Sequence, residues 1–307
     1  MQAQTLPVKL PRVSVIIATY NRAGLIKETI DSVLNQRFQD FELIVVDDGS
    51  TDNTEDLLRS YGSRLRYLRQ ENCGPSAARN FGILHAAGSW ISIQDSDDIC
   101  APDHLEALWS FVERNPGCGM VFANGAYIDD PGPKGKTIIP RAKSRRMAEK
   151  GVELADLFSV SIVRLQAALL SKEAFIAVGA LDHNLRIAMD LDLSYRMFMR
   201  FPVAYLDKVV FFYRRHEGNI GRNQELRLLE NIRVMEKLIQ EFPSATQILG
   251  PKMINRRKAY RYYRLAKTRW RNGAKSAATE TLREAILLRP RFLKYRLYRV
   301  LWSAMKG

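Results

Sequence analysis

The segment Ile91-Ser92-Ile93-Gln94-Asp95-Ser96-Asp97-Asp98-Ile99 joins an alternating apolar run to three carboxylates within four residues. Ile91 and Ile93 alternate with polar residues, and this period of two predicts a buried strand that runs out into the carboxylates. Carboxylates that lie close together repel one another, and a divalent cation such as Mg2+ or Mn2+ removes the repulsion because it prefers hard oxygen ligands. Taken alone, the segment fits such a metal site and a solvated acidic turn equally well.

The chain before this segment alternates between short apolar runs and stretches with helical spacing. Predicted strands occupy 13–18, 41–46, 65–68 and 90–94, and predicted helices occupy 25–34, the region of Leu57 and Leu58, and 75–88. This alternation is typical of a doubly wound, mostly parallel sheet with helices on its faces. We therefore predict an α/β fold with flanking helices, followed by a basic C-terminal helical extension.

Polar clusters follow three of the predicted strands, at residues 19–21, 47–48 and 95–98. Ligands of doubly wound sheets bind outside the carboxyl ends of the strands, so these clusters are expected to share one edge of the sheet. The stretch Asp47-Asp48-Gly49-Ser50 alone is more typical of a turn with a helix cap. Two acidic clusters at one sheet edge, however, indicate a binding site.

Several protein classes are excluded by what the sequence lacks. It has neither a Gly-x-Gly-x-x-Gly fingerprint after the first strand nor a Gly-x-x-x-x-Gly-Lys-Ser/Thr loop, which argues against dehydrogenases and P-loop enzymes. Three scattered cysteines are typical of free thiols in a reducing compartment. No apolar run approaches the ~20 residues of a membrane span, and the N-terminus lacks the layout of a signal peptide. These features predict a cytoplasmic protein.

Three later features have more than one interpretation. Residues 134–150 hold seven basic residues, which predicts a solvated, mobile loop, with a lid or an acceptor-contacting loop as the alternative. Asp190 falls in the first turn of a predicted helix, either as a cap or as a general base for an incoming hydroxyl. His216 follows a strand predicted at 203–212 and lies near Arg214, which suits a diphosphate or a metal as well as a structural role.

Net charge separates the C-terminal part of the chain from the rest. The chain has 47 Lys+Arg against 33 Asp+Glu, a net charge of +14. Residues 252–307 contain 17 of these basic residues but only Glu280 and Glu284, which predicts a boundary near Gly250-Pro251. Two or three helices are expected beyond it. They pack on the preceding domain, bind an anionic membrane through basic and aromatic residues, or do both, whereas no motif supports a nucleic-acid partner.

Five motifs in family order and spacing make the chain resemble the family 2 glycosyltransferases, which have the GT-A nucleotide-sugar fold. The motifs are Val13-Ser14-Val15-Ile16-Ile17-Ala18-Thr19-Tyr20-Asn21-Arg22, Val45-Val46-Asp47-Asp48-Gly49-Ser50-Thr51-Asp52, Gly74-Pro75-Ser76-Ala77-Ala78-Arg79-Asn80, Asp95-Ser96-Asp97-Asp98 and Tyr213-Arg214-Arg215-His216. The resemblance covers about residues 12–221. It implies a nucleotide-sugar-binding and catalytic domain over residues 10–222, and the helical extension then spans 223–307.

The resemblance also implies a role for each candidate site residue. Ala18, Tyr20, Asp48, Arg79 and Asp97 would bind the nucleotide, Asp95, Asp97, Asp98 and His216 would hold Mn2+ or Mg2+, Arg214 and His216 would face the diphosphate, and Asp190 would be the catalytic base. Asp48 is preferred to Asp47 because the second aspartate of this pair has the nucleoside role in the family. Met189 replaces a glutamate that the family often has, which leaves the positioning of the acceptor open.

The implied activity is inverting transfer of a sugar from a nucleoside-diphosphate sugar, above all a UDP-sugar. The acceptor would be a glycan, a lipid-linked sugar or a protein, in the synthesis of a cell-surface polysaccharide or glycoconjugate. Two other functions stay open: a catalytically silent nucleotide-sugar-binding or scaffold protein, and a sugar nucleotidyltransferase. The basic tail adds the expectation of a cytoplasmic enzyme that associates peripherally with the inner face of the membrane.

Overall fold

The structure, a computed structural model, describes residues 10–128, 136–159 and 162–304. The chain folds into two compact units. The first takes the described residues within Met1–Val152, Val163–His183 and Arg200–Arg215, and the second those within Glu153–Ile162, Asn184–Met199 and His216–Gly307. The chain thus passes between the units several times, and the predicted domain division at residue 222 stays a prediction.

The first unit is built on one sheet of eight strands among the described residues. The strands are β1 Val13–Thr19, β2 Phe41–Asp47, β3 Arg66–Arg69, β4 Trp90–Asp95, β5 Ile99–Cys100, β6 Met120–Tyr127, β7 Ala168–Ser171 and β8 Val203–Tyr213. Their order across the sheet is β3-β2-β1-β4-β7-β6-β8-β5. The pairs β2–β3, β1–β2, β1–β4 and β6–β8 are parallel, whereas β7 runs antiparallel to β4 and β6, and β5 to β8. The predicted mostly parallel α/β fold is confirmed.

Helices follow most of the strands and form the second unit. They are α1 Ile26–Leu34, α2 Thr54–Arg59, α3 Pro75–Leu84, α4 His104–Arg114, α5 Arg141–Lys150, α6 Leu154–Ser159, α7 Lys172–Ala177, α8 Met189–Arg200, α9 Gln224–Glu241, α10 Pro243–Leu249, α11 Pro251–Arg271, α12 Lys275–Leu288 and α13 Leu293–Ala304. The first five and α7 belong to the sheet unit. The predicted C-terminal helices are confirmed.

Helix α3 packs closely on the sheet. A Cβ at Gly82 would lie 2.7 Å from Ile16 and 2.9 Å from Val46, so only glycine lets α3 approach β1 and β2 this closely. The helix ends at Leu84 rather than at Gly88, where the sequence predicted its end. Gly88 instead donates its backbone N–H to Ser14 Oγ at 2.8 Å, because the chain turns back onto β1 there.

The prediction of a mobile loop at residues 134–150 is wrong over most of the part that the structure describes. Residues 141–150 form helix α5, whose Ser144 and Met147 are buried, with 134 and 135 outside the described residues. Ser144 hydrogen-bonds Tyr205 and Asp207 of β8. The helix therefore has a narrow packed face, which a count of basic residues does not reveal.

Aromatic packing holds the last three helices of the second unit together. Tyr263 of α11 stacks on Tyr295 of α13 with ring centroids 4.9 Å apart. Trp270 and Trp302 stack at 4.4 Å with their planes 6° apart, which ties the end of α11 to α13. Alanines and leucines of α11 and α12 complete this cluster.

Two further features of the described residues are the hydropathy of the helices and the state of the cysteines. In the part of the chain that the structure describes, no helix combines the length and the apolar composition that crossing a bilayer requires. Cys73, Cys100 and Cys118 are all free thiols, as their scattered spacing predicted.

Candidate functional site

The strand order of the first unit reverses beside β1, and sheets of this kind bind ligands outside the carboxyl ends of the strands at such a point. Chain connections run from β1 to β2 and β3 on one side and then return to β4 on the other, so the order reverses beside β1. The register pairs Ala18 with Asp95 and Thr19 with Asp47. The predicted polar clusters therefore meet at one sheet edge because parallel strands end there together.

The loops after β1 and β2 are tied to each other at this edge. Asp48 donates its backbone N–H to the Thr19 carbonyl at 2.8 Å, and Asn21 donates its own to Ser50 Oγ at 2.9 Å. The Asn21 side chain accepts from the Thr51 N–H at 2.8 Å. Asn21 has φ 51°, a left-handed conformation that asparagine tolerates better than most residues. The hydrogen bonds preorganise the loop that carries the exposed ring of Tyr20.

Asp48 is buried and its carboxylate organises the approach to α3. Oδ1 accepts from Gln70 Nε2 at 2.7 Å and from the Cys73 N–H at 2.9 Å, and Oδ2 accepts from the Gly74 N–H at 2.8 Å. An ionised carboxylate offers about four lone-pair positions, so one position on Oδ2 stays available for a ligand. Asp47, by contrast, closes its own turn by accepting from the Ser50 N–H.

Asp95, Asp97 and Asp98 form a carboxylate cluster in which one oxygen of each lies within 4.8 Å of the others. The cluster forms because β4 ends at Asp95 and the chain turns, with the Asp98 N–H donating to the Asp95 carbonyl at 3.3 Å. Thr29 of α1 fixes this turn by donating its hydroxyl to the Asp98 carbonyl at 2.7 Å.

The environment of Asp98 fits a bound cation. Its side chain is only 1% exposed, and Oδ1 accepts from the Arg214 N–H at 2.9 Å. Oδ2 is buried and has no hydrogen-bond partner among the described residues. Burial first, and then the charges of Asp95 and Asp97, raise the pKa of Asp98 well above its ordinary value. A divalent ion would satisfy the orphan oxygen and relieve the repulsion.

Three arginines neutralise part of the cluster. Arg79 of α3 pairs with Asp95. Arg22 Nε lies 3.9 Å from Asp97 Oδ2, and Arg214 Nε donates to the Asp97 carbonyl at 3.1 Å. Since Arg79 occupies one oxygen of Asp95, an ion there would share that carboxylate with a guanidinium.

Gln166 and Arg164 belong to this site and were missed by the sequence reasoning. Gln166 is buried, donates its side-chain amide to the second oxygen of Asp95, and accepts at its backbone carbonyl from Gln94 at 3.1 Å. The charge of Arg164 opposes the raised pKa of Asp98, and Arg164 Nε is buried without a partner in the described chain. One sequence signal could have indicated Gln166. It is a glutamine inside the otherwise apolar run Leu165-Gln166-Ala167-Ala168-Leu169-Leu170, where a buried strand alone would not require a polar side chain.

The second unit holds the two remaining predicted residues, Asp190 and His216. Asp190 lies in the first turn of α8, as predicted. The turn before α8 is held by Glu230, a residue that the sequence reasoning also missed. His216 Nδ1 accepts from the Gly218 N–H at 3.2 Å, so the proton of the neutral ring lies on Nε2. The structure therefore brings eight of the ten predicted residues together in the sheet unit.

Comparison with known proteins identifies relatives of the chain. The family model described as "Glycosyl transferase family 2" matches residues 14–179, more than half of the chain. An uncharacterized glycosyltransferase of Rickettsia typhi is 30% identical over 222 residues, which cover 72% of this chain and 69% of that protein. Glycosyltransferase GlyA of Streptococcus pneumoniae is 35% identical over 220 residues, 69% of this chain and 32% of the relative.

Solved structures show the same fold. The complex of S. aureus TarS with UDP-GlcNAc matches with a TM-score of 0.59 at 20% identity, over 83% of this chain and 71% of that one. The mannosyltransferase PcManGT of Pyrobaculum calidifontis, in complex with GDP-Man and Mn2+, matches with a TM-score of 0.62 at 21% identity, over 97% and 85% of the two chains. Family model, relatives and fold thus agree, and the protein belongs to glycosyl transferase family 2 and is a glycosyltransferase.

Proposed function

We propose that the protein transfers a sugar from a nucleoside-diphosphate sugar, with UDP as the first candidate nucleotide, to an acceptor hydroxyl with inversion. The observation that carries this proposal is the carboxylate cluster at the switch point of the sheet, with the buried orphan oxygen of Asp98. A cluster of this kind suits a divalent ion that accompanies a diphosphate.

The solved structures with the same fold support the donor class. S. aureus TarS has been solved with UDP-GlcNAc and with UDP, and PcManGT with GDP-Man and Mn2+. A nucleoside diphosphate carries negative charge that side chains and a divalent ion together can balance. We propose that this chain also uses a nucleoside-diphosphate sugar as donor, with Mn2+ or Mg2+ as the ion.

We assign residues to the donor in three groups. Ala18, Tyr20, Asp48, Arg79 and Asp97 bind the nucleotide, Asp95, Asp97, Asp98 and His216 are the candidate metal ligands, and Arg214 and His216 face the diphosphate. The free lone-pair position of Asp48 supports a hydrogen bond from the base. The Nδ1 atom of His216 accepts from the Gly218 N–H, so a contact of this ring with the donor would be made through Nε2.

In the proposed reaction Asp190 takes the proton from the acceptor hydroxyl. The acceptor oxygen then bonds to the anomeric carbon on the face opposite the diphosphate, and the bond from that carbon to the phosphate oxygen breaks. Arg214 offers positive charge to the leaving diphosphate. A bound divalent ion would supply further charge neutralisation at the same group. A general base of this kind is typically worth ~10²–10⁴-fold in rate.

Asp190→Asn tests this assignment because it removes the base and keeps the shape of the side chain. We expect transfer to fall by at least about a hundred-fold while nucleotide binding, measured by titration calorimetry, stays at the wild-type value. The donor is first identified by screening nucleoside diphosphates with Mn2+ for thermal stabilisation. Transfer by Asp190→Asn near the wild-type rate would remove Asp190 from the mechanism.

The products of the same assay separate the transferase from its alternatives. A glycosyltransferase releases a nucleoside diphosphate, a nucleotidyltransferase releases pyrophosphate, and a silent binding protein or scaffold releases neither. We propose an acceptor among glycans, lipid-linked sugars and proteins of polysaccharide or glycoconjugate synthesis. We also propose peripheral association with the inner face of the membrane from the cytoplasm, which the basic residues 252–307 support.

A further inference from the structure

Helix α13 turns its aromatic residues inward and its aliphatic residues outward. Tyr295 and Trp302 are 2% and 4% exposed and belong to the core of the second unit. The outward side chains Leu293, Leu297, Val300 and Leu301 are 68%, 52%, 68% and 56% exposed. The helix therefore has two apolar faces, and its aliphatic face lacks a covering element among the described residues.

The exposed side chains form one continuous stripe. They occupy positions i, i+4, i+7 and i+8 of α13, which at about 100° per residue lie within roughly 100° of the helix circumference. A stripe of this width normally packs into a protein core. Here the core contacts are already made by the opposite face, so the stripe is free to bind something else. We call Leu293, Leu297, Val300 and Leu301 the outer stripe.

Basic side chains border the outer stripe on both edges. Lys294 lies next to one edge and Arg296 next to the other, and both are exposed. No acidic residue follows Glu284 in the sequence, so every charged side chain within residues 285–307 is positive. Long basic side chains at the edge of an apolar stripe reach anionic headgroups while the stripe enters the acyl boundary.

We propose that the outer stripe of α13 docks on an anionic phospholipid surface. The charge pattern favours lipid over a second copy of the chain. Self-association through the stripe would bring the basic residues 289–299 of two copies against one another, and like charges at an interface oppose binding. Each basic residue near an anionic membrane instead raises the partition coefficient of the protein by about five-fold.

The aromatic residues Tyr295 and Trp302 of α13 are buried by stacking on Tyr263 and Trp270, so they do not face this surface. The proposed contact of α13 with lipid is therefore made by its aliphatic residues, which are exposed.

The test compares matched pairs of leucine and isoleucine substitutions in vesicle sedimentation. Leu297→Gln/Leu301→Gln removes the centre of the stripe, and Leu84→Gln/Ile176→Gln removes two residues of the sheet unit that are 77% and 62% exposed. Wild type and control should sediment equally with phosphatidylcholine vesicles that contain phosphatidylglycerol, and weakly with phosphatidylcholine alone. The stripe variant should lose at least about ten-fold in partition coefficient, because binding scales with the apolar area buried.

Three results would overturn the proposal. They are absence of wild-type sedimentation with anionic vesicles, equal sedimentation of the stripe variant and wild type, and a wild-type dimer in light scattering that the stripe variant converts to a monomer without any lipid binding. Thermal unfolding of both variants checks that they are folded. The readout uses no donor or acceptor, so its failure would leave the proposed transferase reaction untouched.

Discussion

Glu230 of α9 provides the sharpest test of how the fold positions its candidate base. Its carboxylate is buried and accepts three backbone hydrogen bonds from the turn that leads into α8. Oε1 accepts from the Arg186 N–H at 3.0 Å, and Oε2 accepts from the N–H groups of Ile187 and Ala188, both at 2.8 Å. Asp190 lies immediately beyond this turn. We infer that Glu230 is a positioning residue for Asp190, an inference that depends on the proposed role of Asp190.

The substitution Glu230→Gln changes these contacts without changing the size of the side chain. Its remaining oxygen still accepts from Ile187 and Ala188, but its amide group faces the Arg186 N–H, which loses its acceptor. A lost charge-assisted hydrogen bond and an unsatisfied donor together cost about 2–4 kcal/mol of stability. A displacement of Asp190 by about 1 Å would cost up to ~10²-fold in rate.

The assay measures kcat, the KM for the donor and the Kd for the nucleoside diphosphate below the unfolding temperature of the variant. We expect a ten- to hundred-fold fall in kcat, roughly as a misplaced base predicts, with the donor KM and nucleotide Kd unchanged. Glu241→Gln, an exposed glutamate at the end of the same helix, is the matched control and should leave all three constants unchanged.

Two outcomes would show that Glu230 does not position Asp190. The first is a folded Glu230→Gln enzyme with wild-type kcat. The second is a loss of nucleotide affinity as large as the loss of kcat, because a purely structural defect would weaken both. Lower thermal stability alone, with kcat intact, would leave Glu230 as a structural residue only.

Two further predictions concern the buried polar groups near the carboxylate cluster. Gln166→Leu removes the amide that holds Asp95 and should weaken Mn2+ binding by about 10–100-fold in calorimetry, since groups behind a metal ligand set its orientation; unchanged Mn2+ affinity in the folded variant would contradict this role. Burial lowers the pKa of His104 to about 4 from 6.5, against the opposing effect of its hydrogen bond to the Val210 carbonyl. The unfolded chain therefore protonates this ring before the folded one, and the His104 contribution to stability, taken as wild type minus His104→Gln, should fall by about 3 kcal/mol between pH 6.5 and pH 4. Denaturant unfolding at several pH values measures this slope, and the same slope in His104→Gln would show that His104 is not its source.

The strands of the sheet were predictable because their composition is unambiguous. β1 and β4 are each one residue longer than the runs predicted at 13–18 and 90–94. Most residues of β1 are β-branched, which is typical of a strand that is covered on both faces. The meeting of Ala18 and Asp95 at one edge followed from parallel topology alone. Local pattern and global fold agree in this half of the chain.

The unpredicted parts depend on contacts between distant segments. Gln166 meets Asp95 across 71 positions, and Glu230 meets the turn before α8 across 42 to 44. No local pattern marks such a pair. The packed face of α5 and the exposed face of α13 could not be predicted for a related reason. The charge and the apolar spacing of a helix do not show which of its faces the neighbouring elements cover.

The proposed function depends on a divalent ion that the carboxylate cluster holds for a nucleoside-diphosphate sugar. Calorimetric titration of UDP into wild type and Asp98→Asn, each with Mn2+ and with excess chelator, measures this dependence. Asp98→Asn keeps the acceptor for the Arg214 N–H but places an amide at the buried orphan oxygen. We expect Mn2+ to tighten UDP binding to wild type at least about ten-fold and to leave binding to the folded variant unchanged. Equal UDP affinity of wild type with Mn2+ and with chelator, or a full Mn2+ effect in Asp98→Asn, would contradict it.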